Sequence, residues 1–172
     1  MKYIIHLSLG SNLDRETNYP AAVRLLKRFG EIEAVSPVYE TPAMGMEPGT
    51  PSFFNGAVRM RTDCEPAELK DRLRREVEEA LGRVRDPGGA WISRPIDADI
   101  VLWRDEGGGY VRPPDPDVVR WLHVARPLAD LDPDLELPIP GHPDGRTLAE
   151  IARALEKEQP LPVPRPDFIL NF

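Results

Sequence analysis

Trp91-Ile92-Ser93-Arg94-Pro95-Ile96-Asp97-Ala98-Asp99-Ile100-Val101-Leu102-Trp103 is the stretch on which the reading of this chain turns. It leaves a glycine-marked loop and enters an apolar run of strand character. Successive side chains of a strand point to opposite faces, so Asp97 and Asp99 share one face, about 7 Å apart along it. Ile96, Ala98 and Ile100 take the other face, towards a core. Two bare carboxylates side by side repel each other, and a divalent cation would offset that repulsion. Mg²⁺ characteristically takes one or two carboxylates, with waters and substrate phosphates completing its shell. Arg94, three residues before Asp97, could pair with a carboxylate or a phosphate. A solvated edge strand with a surface Arg–Asp pair would carry the same residues, and such pairs are common and weak. On this stretch alone both readings stand.

Just upstream, residues 83–94 form a loop with three arginines (Arg83, Arg85, Arg94), two glycines and the isolated Trp91. Arginines on a loop beside a carboxylate pair suit a phosphate clamp. A solvated connection with Trp91 tucked against the fold fits equally. Before the loop, Pro66 opens a helix running to about Leu81, with Leu69, Leu73, Val77, Ala80 and Leu81 as its apolar stripe and Gly82 as its stop. Glu78 on its flank reads as half of a surface pair with Arg74, four residues away.

Nearer the N-terminus, residues 3–9 read as a strand and Gly10-Ser11-Asn12 as a turn. A helix is expected over about 14–29, from Asp14 or from Pro20, ended by Gly30. Residues 31–40 carry strand residues, with Pro37 demanding an edge or a bulge. A long loop, 41–52, holds three prolines and two glycines; loops of this length in compact domains are functional or disordered. Residues 53–61 alternate like a half-buried strand.

After residue 103 a glycine-rich turn leads to a short hairpin strand at 110–111. Residues 112–120 are proline- and aspartate-rich, Trp121–Leu131 suits a short helix started or interrupted by Pro127, and 132–146 look irregular. Thr147 caps a helix to about Glu158, and 160–172 form a proline-rich extended tail. The order β, α, β, β, α, β with a helical appendage predicts an α+β domain of ferredoxin-like type, a largely antiparallel sheet packed by helices. One domain is expected over 1–159, with 160–172 as the tail.

Composition narrows the function. The chain has 172 residues, 41% hydrophobic and 30% charged, with 29 acidic against 22 basic residues and a net charge of −7. That balance argues against nucleic-acid or anionic-membrane partners. No apolar run is long enough for a transmembrane helix, the N-terminus does not read as a signal peptide, and a cytoplasmic location follows by default. A single cysteine, Cys64, excludes an internal disulfide and a multi-cysteine zinc site. No Gly-x-x-x-x-Gly-Lys-Ser/Thr or Gly-x-Gly-x-x-Gly motif is present. Any nucleotide phosphates must be held by metal and arginines.

With these motifs in view, the chain resembles the 6-hydroxymethyl-7,8-dihydropterin pyrophosphokinase (HPPK) family over roughly residues 3–140. Trp91-x-x-Arg94-Pro-Ile-Asp97-Ala-Asp99 is close to that family's Arg-x-x-Asp-x-Asp signature. Leu9-Gly10-Ser11-Asn12-Leu13, Tyr39-Glu-Thr41-Pro42, Phe53-Phe54-Asn55-Gly-Ala-Val and Glu78-x-x-x-Gly82-Arg83-x-Arg85 follow in family order. The resemblance implies transfer of diphosphate from ATP to the hydroxymethyl group of the pterin, with release of AMP. It implies two Mg²⁺ ions on Asp97 and Asp99, and catalytic and phosphate-clamping roles for Arg83, Arg85 and Arg94. Glu78 and Ile100 would adjoin ATP. Phe53 would stack on the pterin, Asn55 would bond its edge beside Thr41, Pro42, Ala43 and Met44, and Trp91 would seal that side. The partners implied are small molecules, in a monomer or a weak homo-oligomer. The departures lie in 112–128. Where the family commonly has His, Arg and Phe, this chain has Asp115, Trp121 and His123. An acid near a triphosphate is unfavourable, while His123, or Trp121 in a shifted register, could serve the stacking place. That leaves a divergent pterin- or nucleotide-binding member, with lost or altered transfer, as the alternative.

Overall fold

The structure, a computed structural model, describes residues 2–84, 92–139, 142–168 and 170, with side chains 139 and 142–144 excepted. Arg85 and Trp91 lie outside the described residues. The first two thirds of the chain run β1 (Tyr3–Ser11), α1 (Arg15–Leu26), β2 (Glu31–Val35), β3 (Tyr39–Thr41), β4 (Phe53–Thr62), α2 (Pro66–Leu73) and β5 (Asp97–Asp105). Then follow α3 (Asp117–Arg120), α4 (Leu122–Leu131), β6 (Glu136–Ile139), β7 (His142–Thr147), α5 (Leu148–Leu155) and β8 (Val163–Pro164).

β1 is central. It pairs antiparallel with β4 on one side and β5 on the other. β2 and β3 both lie antiparallel on the far side of β4, and β8 extends that edge beyond β3. The arrangement is the expected ferredoxin-like antiparallel sheet. Residues 31–40 form two short strands, because Pro37 removes a ladder donor between them.

Each face of the sheet has its own core. Ile5, Leu7 and Leu9 of β1, with Ala98 and Ile100 of β5, pack against Tyr19, Val23 and Leu26 of α1 and Leu69 and Leu73 of α2. On the opposite face Ala57, Val101 and Leu102 meet α3, α4 and α5. α4 is tied to the sheet by polar groups as well. Asp132 accepts from His6 Nε2 at 2.6 Å and from Arg59 at 2.5 Å, and Tyr39 Oη donates to Asp130 at 2.6 Å.

Three expectations need correction. Residues 132–146 are not irregular, since they contain the β6–β7 hairpin. α1 neither waits for Pro20 nor reaches Phe29; it encloses the proline and ends at Leu26. The helix from Pro66 is α-helical only to Leu73 and continues as a π-helical turn, Arg74–Glu79. Such turns gather at functional sites. The wider turn brings Val77 and Glu78 inward together and leaves Ala80 exposed, where a 3.6-residue stripe would have buried Ala80. Glu78 is therefore no surface partner of Arg74, which pairs instead with Glu79 at 2.9 Å.

Gly30 shows how tightly α1 is brought back to the sheet. A Cβ there would stand 1.9 Å from the Arg61 carbonyl oxygen, which is backbone and cannot swing aside. Gly30→Ala is expected to cost about 2–3 kcal/mol and to lower Tm by roughly 5–10 °C. Gly82, at φ 88° with open space around its Cβ position, is the control. Gly82→Ala should cost only about 1 kcal/mol of backbone strain. Equal losses by thermal unfolding would rule out the close approach as the cause.

Candidate active site

Strand register assembles the site. Gly10 lies opposite Asn55 of β4 and opposite Asp97 of β5, while Ser8 lies opposite Ala57 and Asp99. Directly opposed residues of antiparallel strands share a face. Asn55, Asp97 and Asp99 therefore project from one face, at the end of the sheet that α4 and α5 leave uncovered. The side-chain-free Gly10 stands between Asn55 and Asp97. Phe53 and Thr41, paired across β3 and β4, continue the row, and Asn55 Nδ2 donates to Thr41 Oγ1 at 2.7 Å.

Above this row opens a cleft of about 720 Å³, a size typical of small-molecule sites. Its floor is Ser8, Gly10, Asn55, Asp97 and Asp99; Arg83 and Arg94 stand at one side. Met44, Gly45 and Met46 of the 41–52 loop form a second side, and Trp121, Leu122 and His123 a third. Of the residues expected to meet a pterin, Thr41, Pro42, Met44, Phe53, Asn55 and His123 line the cleft. Ala43 sits in the same loop without lining it. Ile100 points into the core, and its carbonyl accepts from Arg112 Nη2.

The charged centre is built around Asp97. Arg83 donates to its Oδ1 and Arg94 to its Oδ2. Burial alone would raise the Asp97 carboxyl, but the two guanidiniums outweigh burial and hold it below the usual range. Arg83 also donates to Glu78 Oε1 at 2.6 Å, and that oxygen accepts the Ala98 backbone N–H at 3.1 Å. Glu78, 3% exposed, thus fixes both an arginine of the site and the strand between the two aspartates.

Asp99 has the opposite environment. Its carboxylate is open to the cleft, yet surrounding protein displaces much of its hydration. That desolvation, with the nearby charges of Asp97, Glu78 and Asp115, pushes it up to about 7. Surplus negative charge at one of two adjacent carboxylates fits a hard divalent cation. Among the described residues no cluster of three or more His, Cys, Asp or Glu could hold an ion by itself. Two carboxylates with substrate oxygens completing the shell is the manner of Mg²⁺.

Gly10 and Ser11, read from sequence as part of a turn and a family motif, end β1 instead, and Ser11 with Asn12 is the clamp between the two loops. Asn12 Nδ2 donates to Pro51 O at 3.2 Å and Ser93 Oγ at 3.0 Å. Its Oδ1 accepts the Arg94 N–H at 2.7 Å, and Ser11 Oγ donates to Pro95 O. At the divergent segment, Asp115 accepts the Asp117 N–H at 2.9 Å and so is engaged at the start of α3. Trp121 and His123 stack with ring centres 6.0 Å apart, and burial lowers the His123 pKa, favouring the neutral imidazole. Trp121 stands at the place of the arginine the family would lead one to expect, and Arg120, one residue earlier, pairs with Asp117 at 3.5 Å.

The family model for 7,8-dihydro-6-hydroxymethylpterin-pyrophosphokinase (HPPK) matches residues 6–133. This chain belongs to the HPPK family. Relatives include the 2-amino-4-hydroxy-6-hydroxymethyldihydropteridine pyrophosphokinases of three bacteria. That of Porphyromonas gingivalis is 34% identical over 150 residues, covering 74% of this chain and 99% of its own. That of Pseudomonas aeruginosa is 35% identical, covering 87% and 90%. That of Aquifex aeolicus is 33% identical, covering 78% and 84%. The HPPK match spans every motif quoted above and ends before β6, so the β6–β7 hairpin, α5 and β8 lie beyond it. Among the described residues no helix is long and apolar enough to cross a membrane.

Proposed function

We propose that this HPPK family member transfers diphosphate from ATP to the hydroxymethyl oxygen of 6-hydroxymethyl-7,8-dihydropterin. The hydroxyl oxygen bonds to the β-phosphorus and loses its proton. The bond from that phosphorus to the oxygen bridging to the α-phosphate breaks, and AMP leaves with the oxygen. The observation that carries the reading is that Asp97 and Asp99 share a sheet face with Asn55 and line one cleft with Arg83, Arg94 and Thr41.

Asp97 and Asp99 would hold two Mg²⁺ ions, whose charge offsets that of the triphosphate and aligns it for in-line displacement. Arg83 and Arg94, now on Asp97, would exchange that carboxylate for phosphate oxygens, the role the family resemblance also implies for Arg85. Asn55 and Thr41 would orient the pterin edge. Phe53 and the neutral His123 would cover its ring, with Trp91 closing that side. Glu78 would act by holding Arg83, and Ile100 could offer ATP only its backbone. Such catalysis is positioning and electrostatics, with no covalent intermediate on the protein.

The test is AMP release from ATP in the presence of the pterin. Turnover should require both the pterin and Mg²⁺. Wild-type turnover no greater than that of Asp97→Ala overturns the proposal. The alternative, a divergent binder without transfer, is favoured only by Asp115, Trp121 and His123. It predicts that calorimetry will detect the pterin but no Mg²⁺-dependent binding of a non-hydrolysable ATP analogue.

A further inference from the structure

Residues 159–168 have no place in the reading so far, yet they adjoin the same cleft. In Pro160-Leu161-Pro162-Val163-Pro164-Arg165-Pro166 the alternating prolines pre-set an extended backbone and leave little conformational entropy to lose. The segment is fastened at both ends. At its start, Gln159 accepts the Leu122 N–H at 2.9 Å and donates to Arg120 O at 2.8 Å. At its far end, Val163 and Pro164 pair with Glu40 and Tyr39, and the Arg165 N–H donates to Val38 O at 2.8 Å. Phe168 then packs on Phe54, with ring centres 5.0 Å apart.

Between these anchors the side chains alternate. Gln159, Pro160 and Pro162 line the cleft, whereas Leu161 and Val163 are 65% and 59% exposed. The span therefore bridges the His123 side of the cleft and the Thr41 side. Its outer anchor is shared. Arg165 Nη1 donates to Glu40 Oε2 at 2.7 Å, while Glu40 Oε1 accepts from Ser52 Oγ and lies 3.0 Å from Arg15 Nη1. Ser52 ends the 41–52 loop that carries Met44 and Met46. One carboxylate thus holds both the loop and the tail.

Resting on the HPPK reading, we propose that residues 159–165 are a fixed strap forming the outer wall of the pterin half of the cleft. Gln159, Pro160 and Pro162 contribute to pterin affinity by contact. Arg165 is a positioning residue, acting through Glu40. The strap lies outside the span, residues 6–133, that the family model matches.

Two variants test it in the full-length chain. Pro160→Gly with Pro162→Gly loosens the wall and leaves both anchors in place. Arg165→Met keeps an apolar stem on Phe54 and removes the ion pairs with Glu40 and with Asp167. Each should raise KM for the pterin about five- to tenfold, with smaller changes in kcat and in KM for ATP. Thermal unfolding of both confirms that they are folded. Quenching of pterin fluorescence, titrated without turnover, should show the same loss of affinity. Wild-type pterin KM and affinity in both variants, or equal rises in KM for pterin and ATP, overturn the strap and leave the HPPK reading intact. A wild type that neither binds nor turns over the pterin overturns both.

Discussion

Asp99→Asn is expected to lower kcat/KM by about 10³-fold or more and, in chelator at pH 8, to raise Tm. The activity loss follows from losing a metal-holding carboxylate, because Lewis-acid stabilisation of a transferring phosphoryl group is worth several kcal/mol and each ~1.4 kcal/mol is tenfold in rate. The stability gain follows from the raised pKa. Folding lifts the Asp99 carboxyl from its ordinary 3.8 to about 7, first because surrounding protein displaces its hydration, although it stays open to the cleft, and then through Asp97, Glu78 and Asp115. The folded state thus binds this proton more tightly than the unfolded state. Ionised Asp99 is a cost above pH 7, and the metal-free protein regains stability as pH falls from 7 towards 4. An amide carries no charge, so the advantage of Asp99→Asn at pH 8 should vanish by pH 5, and Mg²⁺ should stabilise only the wild type. Its neighbour should behave oppositely. Asp97 is held below its ordinary value by Arg83 and Arg94, so its contribution is present above about pH 4 and lost as pH falls through its folded pKa. Asp97→Asn should cost about 2 kcal/mol at pH 8, along with activity. Thermal melts of both variants at pH 8 and pH 5 decide the matter. Shifts of the same sign at pH 8 would refute the assignment of Asp97 as the paired carboxylate and Asp99 as the surplus one.

Glu78→Leu is the largest stability loss expected from a single side chain of the site. Glu78 is buried, and Arg83 against it is only 12% exposed. Removing one partner of a buried pair leaves an uncompensated charge at a cost of about 3–5 kcal/mol. Here Arg83 keeps Asp97, which places the loss near ~3 kcal/mol, while the Ala98 N–H also loses its acceptor. Tm should fall by roughly 6–12 °C. Glu78→Gln retains an acceptor for Ala98 and should lose about 1 kcal/mol. The gap between the two midpoints in urea isolates the structural bond from the charge. A Glu78→Leu variant as stable as Glu78→Gln would mean that neither Arg83 nor the Ala98 N–H depends on this residue.

Glu78 also marks where sequence reading gave out. Its spacing from Arg74 is that of a surface pair, and periodicity alone supports nothing else. The π-helical turn changes the angular step within one turn, and only packing against β5 reveals it. Asn12 shows the same limit. Its bonds to Pro51, Ser93 and Arg94 span 39 to 82 residues, separations about which local pattern is silent. The β6–β7 hairpin was hidden by four prolines in 132–146, which read as irregular until the strands are seen pairing with each other.

By contrast, a strand over 96–103 (β5, Asp97–Asp105, in the structure), the antiparallel ferredoxin-like order and the shared face of Asp97 and Asp99 were all legible in the residues. Those features depend on period-two alternation, on where glycine and proline interrupt it, and on the order of elements, all local properties of the chain. The differing protonation of the two aspartates was not legible. They have the same side chain on the same face, and they are separated only by what lies near each: two guanidiniums at Asp97, three carboxylates and displaced water at Asp99. The joining of the 41–52 loop, α1 and the C-terminal strap on Glu40 belongs to the same class. Electrostatic environment and wall geometry are sums over neighbours distant in sequence, and only folding brings those neighbours together.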